Sequence, residues 1–420
     1  MSQLLYIVLG LVYFAALSLL FRRIHKKNEI ALSWHWMIAA FAAKVMAGML
    51  YGYLYAHVFA VSDSWSYFRE SLEEYQKLIK HPASFFLTGL NVENAGDMFS
   101  TADNNFWSNV GENLLIKLLA IFNLLSRGNY YVNVVLFNAL PFFGLYLIFL
   151  ISAHFYKRNL TLLYGLIFFL PSCLFWNSGI DKDGLIVFFT GWLIHSVHYL
   201  FSGNSHRKHI VFCVVSFIAV LLLRPVNAVL LIPALSIWWL SAKFPAKAFY
   251  VALGAAVFFV VLFFMSGMLS PALDFPLKLA EKQHQFLTLE ANTVLPLTPL
   301  EPNFFSYVKV FPQAVNHIFL RPYISELKSA FHLMTFLENM LILVVMALAI
   351  IKARSEVAAC FKTPYFLFLL ALSFSGFILI GYTTPFPGTI VRYKALYAVL
   401  FLIPFVHLLA GSFRLINNKK

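Results

Sequence analysis

Charged side chains make up only 12% of this chain, and the acidic ones are scarcest, with 18 Asp and Glu against 31 Lys and Arg. Soluble domains run at about 25% charged and about 45–50% apolar. A chain that is 61% apolar over 420 residues is therefore excluded from that class, and its solvent is the bilayer. Cysteine is nearly absent: Cys173, Cys213 and Cys360 are far apart in apolar surroundings, with no C-x-x-C spacing. This excludes a disulfide framework and a Cys-based zinc site. A Walker loop, a dinucleotide glycine pattern, H-E-x-x-H and G-x-S-x-G are all missing, which argues against an ATPase, a nucleotide-cofactor redox enzyme, a zincin and a typical serine hydrolase.

What the chain has instead is long runs of Leu, Phe, Ile, Val and Ala without alternation. Lipid offers no partners to backbone N–H and C=O groups, so spans are helices or closed barrels, and unalternated runs select helices. In a soluble protein a net charge of +13 would suggest nucleic acid. Here the basic residues recur between apolar runs, at Arg22 to Lys27, Lys157-Arg158, Arg207-Lys208, Lys243 to Lys247, Lys352 to Lys362 and Arg414 to Lys420. This is a topology signal, and nucleic acid is not an expected partner. The positive-inside rule makes those connections cytoplasmic.

The resulting expectation is an all-α polytopic membrane protein, a single multi-span domain over 1–420 with about eleven transmembrane helices. Its N-terminus lies outside and its C-terminus in the cytoplasm. Spans are expected near 3–21, 34–60, 131–153, 160–177 and 184–201, then two short spans within 209–240 broken at Arg224-Pro225, then 248–266, 330–351, 364–381 and a last one after the turn 385–394. The first run, Leu4 to Phe21, is followed by basic residues and reads as a retained span instead of a signal peptide. Two large outer loops, 61–130 and 267–328, are rich in aromatics and proline and are expected to fold back on the membrane. Residues 113–126 are apolar at helical spacing but too short to span, which predicts an interfacial or re-entrant helix.

Among the acidic residues, only Glu29 and Glu356 fall on the cytoplasmic side of this topology. The acids play no part in placing the loops, so their segregation independently supports an outer working face. Asp63, just past the second span, is placed to act as a general base at the lipid–water boundary; alternatively, Asp63 and Ser64 cap a helix carrying Tyr67, Glu70 and Lys77. Asp181-Lys182-Asp183 is the densest charge cluster at a span boundary: Lys182 suits a phosphate and the two aspartates suit orientation, or else the turn is merely solvated, with Asp183 at a helix start. Arg224, Arg321 and Arg392, with Lys394 beside the last, sit at outer helix ends, where guanidinium forks match phosphate oxygens or simply snorkel to the interface. Glu326 and Glu338 flank the start of the ninth span, and Lys44 lies within the second; a Lys44–Glu338 pair is one option. His195 and His198 read as structural. The acids leave room for a divalent metal, but nothing in the sequence demands one and no metal ligands are assigned.

Together these residues resemble the bacterial multi-span glycosyltransferases of the GT-C type, which take sugars from polyprenyl-phosphate donors at the outer leaflet. In that group an acidic residue in the first outer loop is the usual catalytic base, and Asp63 in Ser62-Asp63-Ser64-Trp65-Ser66-Tyr67 occupies the matching place, although here it follows the second span instead of the first. The segments Phe175 to Gly184 and Pro387 to Lys394 also resemble parts of bacterial envelope-polysaccharide membrane proteins. The resemblance implies a bacterial inner-membrane enzyme with a polyprenyl-phosphate-linked sugar as donor and a glycan or lipid as acceptor. Asp63 would be its base; Lys182, Arg224, Arg321, Arg392 and Lys394 would bind phosphate; and Asp181, Asp183, Tyr67, Glu326 and Glu338 would orient substrate. Two rivals remain. One is an O-antigen-polymerase-like enzyme using Arg321 on diphosphate-linked glycans. The other is a transporter or flippase for lipid-linked sugars, which predicts polar residues deep in several spans.

Overall fold

A computed structural model of the chain describes residues 3–28, 30, 32–59, 62–87, 106–156, 159–203, 206–289, 293–352 and 354–417. Glu29, the Lys157-Arg158 cluster, the 88–105 part of the first large loop with its three acids, Glu290 and the last lysines lie outside the described residues. Within them the fold is helical throughout, without strands.

Nine helices among the described residues are long and apolar enough to cross a membrane. They are α1 (Gln3–Lys27), α2 (Trp34–His57), α6 (Tyr130–Phe155), α9 (Lys182–Phe201), α11 (Pro225–Lys243), α12 (Ala248–Leu269), α15 (Ala330–Lys352), α17 (Pro364–Thr383) and α18 (Pro387–Asn417). The other two expected spans take different forms. The stretch 160–177 is interrupted at Leu170-Pro171 into α7 (Leu160–Phe169) and the six-residue α8 (Pro171–Trp176), because Pro171 supplies no N–H to continue the ladder. Residues 209–240 do split at Arg224-Pro225, but α10 (Arg207–Leu223) is a 17-residue helix. Arg224 is extended and Pro225 opens α11, the position where proline's fixed φ suits a helix start.

The expected interfacial helices are present as helices. In the first loop these are α3 (Asp63–Lys80), α4 (Pro82–Leu87) and α5 (Phe106–Ser126). α5 buries Leu115, Ile116, Leu119 and Asn123 on one face and exposes Leu114, Ile121, Leu124 and Leu125 on the other. The second loop holds α13 (Phe275–Thr288) and α14 (Phe304–Phe319), and α16 (Arg354–Cys360) follows α15. α14 turns Tyr307, Val310, Ala314 and Ile318 inward and Phe304, Phe305, Val308 and Phe311 outward, a pattern suited to an apolar surrounding.

The innermost helices are α6, α9, α17 and α18; α1 and α12 are peripheral, exposing most of their apolar side chains. α6 and α9 approach so closely that a Cβ on Gly191 would collide with the Gly144 carbonyl, the small-residue contact typical of helices packed without a hydrophobic drive between them.

The short helix α8 is clamped from both ends by charged groups. Glu338 of α15 accepts from the Ser172 N–H at 2.7 Å and the Ser172 hydroxyl at 2.6 Å. At the far end Lys44 of α2 donates to the Asn177 carbonyl and the Ser178 hydroxyl, each at 3.1 Å. The two charges thus satisfy opposite ends of one helix instead of pairing directly. Asn138 of α6 adds a bond to the Ser178 carbonyl at 2.9 Å. Every unpartnered buried polar group costs about 1–3 kcal/mol. Glu338→Ala strands two, and should lower thermal stability by roughly that amount for each; a melting temperature equal to the parent's would show that the clamp contributes nothing.

Candidate functional site

The clamped segment leads into Gly179-Ile180-Asp181-Lys182-Asp183, where the acidic residues gather. Asp181 is the N-cap of α9, its carboxylate accepting from the Lys182 N–H at 2.6 Å, and Asp183 lies in the first turn. Both are buried among apolar helices, and both are met by arginines from distant segments. Arg392, near the start of α18, reaches Asp181 Oδ2 with Nη2 at 2.5 Å and Asp183 Oδ2 with Nε at 2.6 Å. Arg224, at the α10–α11 break, reaches Asp183 Oδ1 with Nη1 at 2.9 Å. Its guanidinium also lies over the Tyr393 ring, 4.5 Å from the centroid. One buried carboxylate thus bridges two guanidiniums, and one guanidinium bridges two carboxylates.

The third edge of Arg392 faces Asp63, with Nη1 at 3.7 Å from Asp63 Oδ2. Asp63 differs from the other two acids in being accessible: its side chain is 55% exposed, against 1% for Asp181. The capping alternative does not hold for it, because Ser62 is the N-cap of α3, accepting from the Trp65 N–H at 3.2 Å. The carboxylate of Asp63 is therefore left to face the arginine. Its helix is fixed by neighbours: Trp65 stacks on Tyr130 at 3.9 Å and donates to the Gly52 carbonyl at 2.9 Å, and Ser64 shares a 2.6 Å bond with Tyr130.

Three carboxylates against two guanidiniums leave this cluster with surplus negative charge. Burial holds the Asp181 carboxyl above the usual carboxylate range; Arg392 opposes this, while Asp183 and Asp63 reinforce it. Tyr67, one turn along α3 from Asp63, is buried. Desolvation, then Asp181, Glu112 and Asp63, push its phenol well above the ordinary value, so it stays a neutral donor. Lys182 turns to α5 and pairs with Glu112 at 3.1 Å, where Ser108 also donates at 3.0 Å.

Arg321, Glu326, Glu338 and Lys394 form a second group. Lys394 is buried, and donates to the Asn339 side-chain oxygen and to the Ile318 carbonyl. Asn339 in turn donates to the Arg321 carbonyl at 2.6 Å. Arg321 pairs with Glu326 at 3.6 Å, and Glu326 accepts from the Tyr323 N–H at 2.9 Å. Sequence reasoning did not single out Glu112, Tyr393 or Asn339. Asn339 carried a signal, being a polar residue beside Glu338 inside an apolar run; Glu112 and Tyr393 acquire their roles only through tertiary contact.

Beside the second group, burial and then the Arg321 charge push the His317 imidazole down to about 4, with Glu326 opposing. The folded protein keeps this ring neutral where the unfolded chain, with an ordinary histidine near 6.5, takes up a proton. The stability His317 contributes is therefore complete above about pH 6.5 and is lost as pH falls toward 4. His317→Gln should flatten the decline in melting temperature between neutral and mildly acidic pH; an identical slope would contradict this assignment. His195 and His198 sit on α9 beyond its midpoint, against Tyr199, His209 and His154, away from both groups.

Among the described residues, no three His, Cys, Asp or Glu side chains are arranged to hold a metal ion. What the first cluster offers is an accessible carboxylate beside a guanidinium whose other two edges are fixed by buried aspartates. No protein-family model, curated protein or solved structure matches the chain.

Proposed function

We propose that the protein is a membrane glycosyltransferase, transferring a sugar from a polyprenyl-phosphate-linked donor to a glycan or lipid acceptor at the outer face of a bacterial cytoplasmic membrane. The observation that carries this reading is the juxtaposition of exposed Asp63 with Arg392 at 3.7 Å, at one end of a bundle of membrane-crossing helices. Deprotonating a sugar hydroxyl as it attacks needs a positioned carboxylate; stabilising a departing lipid phosphate needs a fixed cation. Asp63 is the base. Arg392 faces the phosphate with its Nη1 edge, and Arg224 supports it across Asp183. The glycosidic C–O bond to phosphate breaks as the acceptor oxygen bonds to the sugar, the acceptor proton passing to Asp63 and the electron pair to the phosphate.

The orientation rests on the basic connections at the opposite end of the helices, Arg22 to Lys27, Arg207-Lys208 and Lys243 to Lys247, which belong in the cytoplasm. With α10 and the interrupted α7–α8 also crossing, the spans number about eleven, as the hydropathy suggests.

The transporter reading has one observation in its favour, the broken α7–α8 with buried charges at both ends of α8. Those charges are bound to fixed partners, which suits a rigid scaffold better than a moving gate. The test is envelope glycan composition in a strain lacking the protein. The enzyme reading expects one sugar to be missing from a glycan while its lipid-linked donor accumulates; an unchanged glycan profile would end it.

A further inference from the structure

Arg321 is not absorbed by the transfer chemistry, and its surroundings are unusual. Its Nε and Nη1 are buried and make no hydrogen bond, Glu326 standing off at 3.6 Å. Its guanidinium lies 5.2 Å from the centroid of the Tyr323 ring. Tyr323 is also a wall of a trough of about 600 Å³, lined by Leu320, Tyr323, Ile324, Ser325, Phe336 and Met340 and almost wholly apolar. Phe336 and Met340 flank the row Leu333, Leu337 and Leu341, which α15 exposes on its apolar surface. The trough therefore opens where lipid chains run, with a guanidinium short of acceptors at its side.

We propose that this trough between the α14–α15 connection and α15 binds a membrane lipid bearing a phosphate headgroup, the chain lying along Ile324, Phe336 and Met340 and the phosphate meeting Arg321. Buried guanidinium N–H groups without acceptors are costly, and a phosphate oxygen accepts charge-assisted bonds from such groups. An apolar trough holds the chain by removing it from neighbouring lipid and from interfacial water, so an inorganic anion lacks half the contact. Glu326 is the competitor: it shares the Arg321 charge when the trough is empty, and a phosphate displaces it from Nη1. This site uses none of the residues of the Asp63–Arg392 cluster on which the transfer reading rests, so it stands or falls independently of that reading.

The experiment is equilibrium binding of labelled dioleoyl phosphatidic acid to the purified full-length protein in detergent, competed by dioleoylglycerol and by inorganic phosphate. The expected result is saturable binding that neither competitor displaces at concentrations where unlabelled phosphatidic acid does. Arg321→Gln should weaken it by roughly tenfold or more, the scale of one lost charge-assisted contact. Ser325→Trp, at an exposed position that fills the trough without disturbing the core, should weaken it comparably, and Glu326→Gln should tighten it. Asp63→Asn should leave it unchanged. Equal competition by dioleoylglycerol would show that Arg321 contributes nothing. Equal competition by inorganic phosphate would show a free-anion site. Full binding by both Arg321→Gln and Ser325→Trp would place any lipid elsewhere. Each of these three outcomes overturns the proposal.

Discussion

Arg392→Met is expected to destabilise the folded protein by about 3–5 kcal/mol, because removing one partner of a buried ion pair leaves an uncompensated charge. Here the effect falls on two carboxylates at once: Asp181 and Asp183 are both buried and both bonded to the same guanidinium. Arg224 remains on Asp183 but does not replace the bond to Asp181. Desolvated ions attract strongly only when the geometry is good, and breaking such a pair costs more than the pair contributes. A double variant with Arg392→Met and Asp181→Leu, which leaves Asp183 paired with Arg224, should therefore recover much of the lost stability and none of the activity. Thermal unfolding of both variants in detergent makes the comparison; a single variant as stable as the parent would show that the cluster is not a closed ionic unit.

The second large effect is kinetic. Asp63→Asn keeps the shape of the side chain but removes its capacity to take a proton. General base catalysis contributes about 10²–10⁴-fold, and transfer should fall by that much. Stability should hardly change, since the carboxylate is more than half exposed, caps nothing and stands 3.7 Å from its only ion-pair partner among the described residues. The contrast between the two variants is the informative part: Asp63→Asn cuts turnover and keeps the fold, whereas Arg392→Met threatens the fold itself.

The helical membrane class was legible because lipid leaves the backbone no other solution, and runs such as those of α6 and α12 announce themselves by composition alone. The Arg224-Pro225 break was legible for a local reason, proline's missing N–H. The same chemistry at Leu170-Pro171 was not anticipated, since the ten-residue α7 and the six-residue α8 read as one span when only hydropathy is counted. Position at span ends put Asp63, Asp181, Asp183, Arg224 and Arg392 at one face with the other candidates, and these five are neighbours in the structure because helix ends at the same face of a bundle lie close together. Position could not reveal that Arg321 and Lys394 belong to another group. Lys394 is only two residues from Arg392, yet two steps along a helix turn a side chain to nearly the opposite face, and it is Asn339 and not Asp181 that receives it. Nor could sequence show that Arg224 and Arg392 are already bonded to buried carboxylates, which leaves the Nη1 edge of Arg392 as the one that faces the exposed Asp63.

The most direct test is sugar transfer by the purified protein in liposomes, using a panel of polyprenyl-phosphate-linked sugar donors and membrane-derived acceptor, with the parent and Asp63→Asn side by side. The account predicts transfer from at least one donor by the parent and a loss of about 10²-fold or more in the variant at unchanged thermal stability. Parent-level transfer by Asp63→Asn, or no transfer from any donor by the parent, would contradict it.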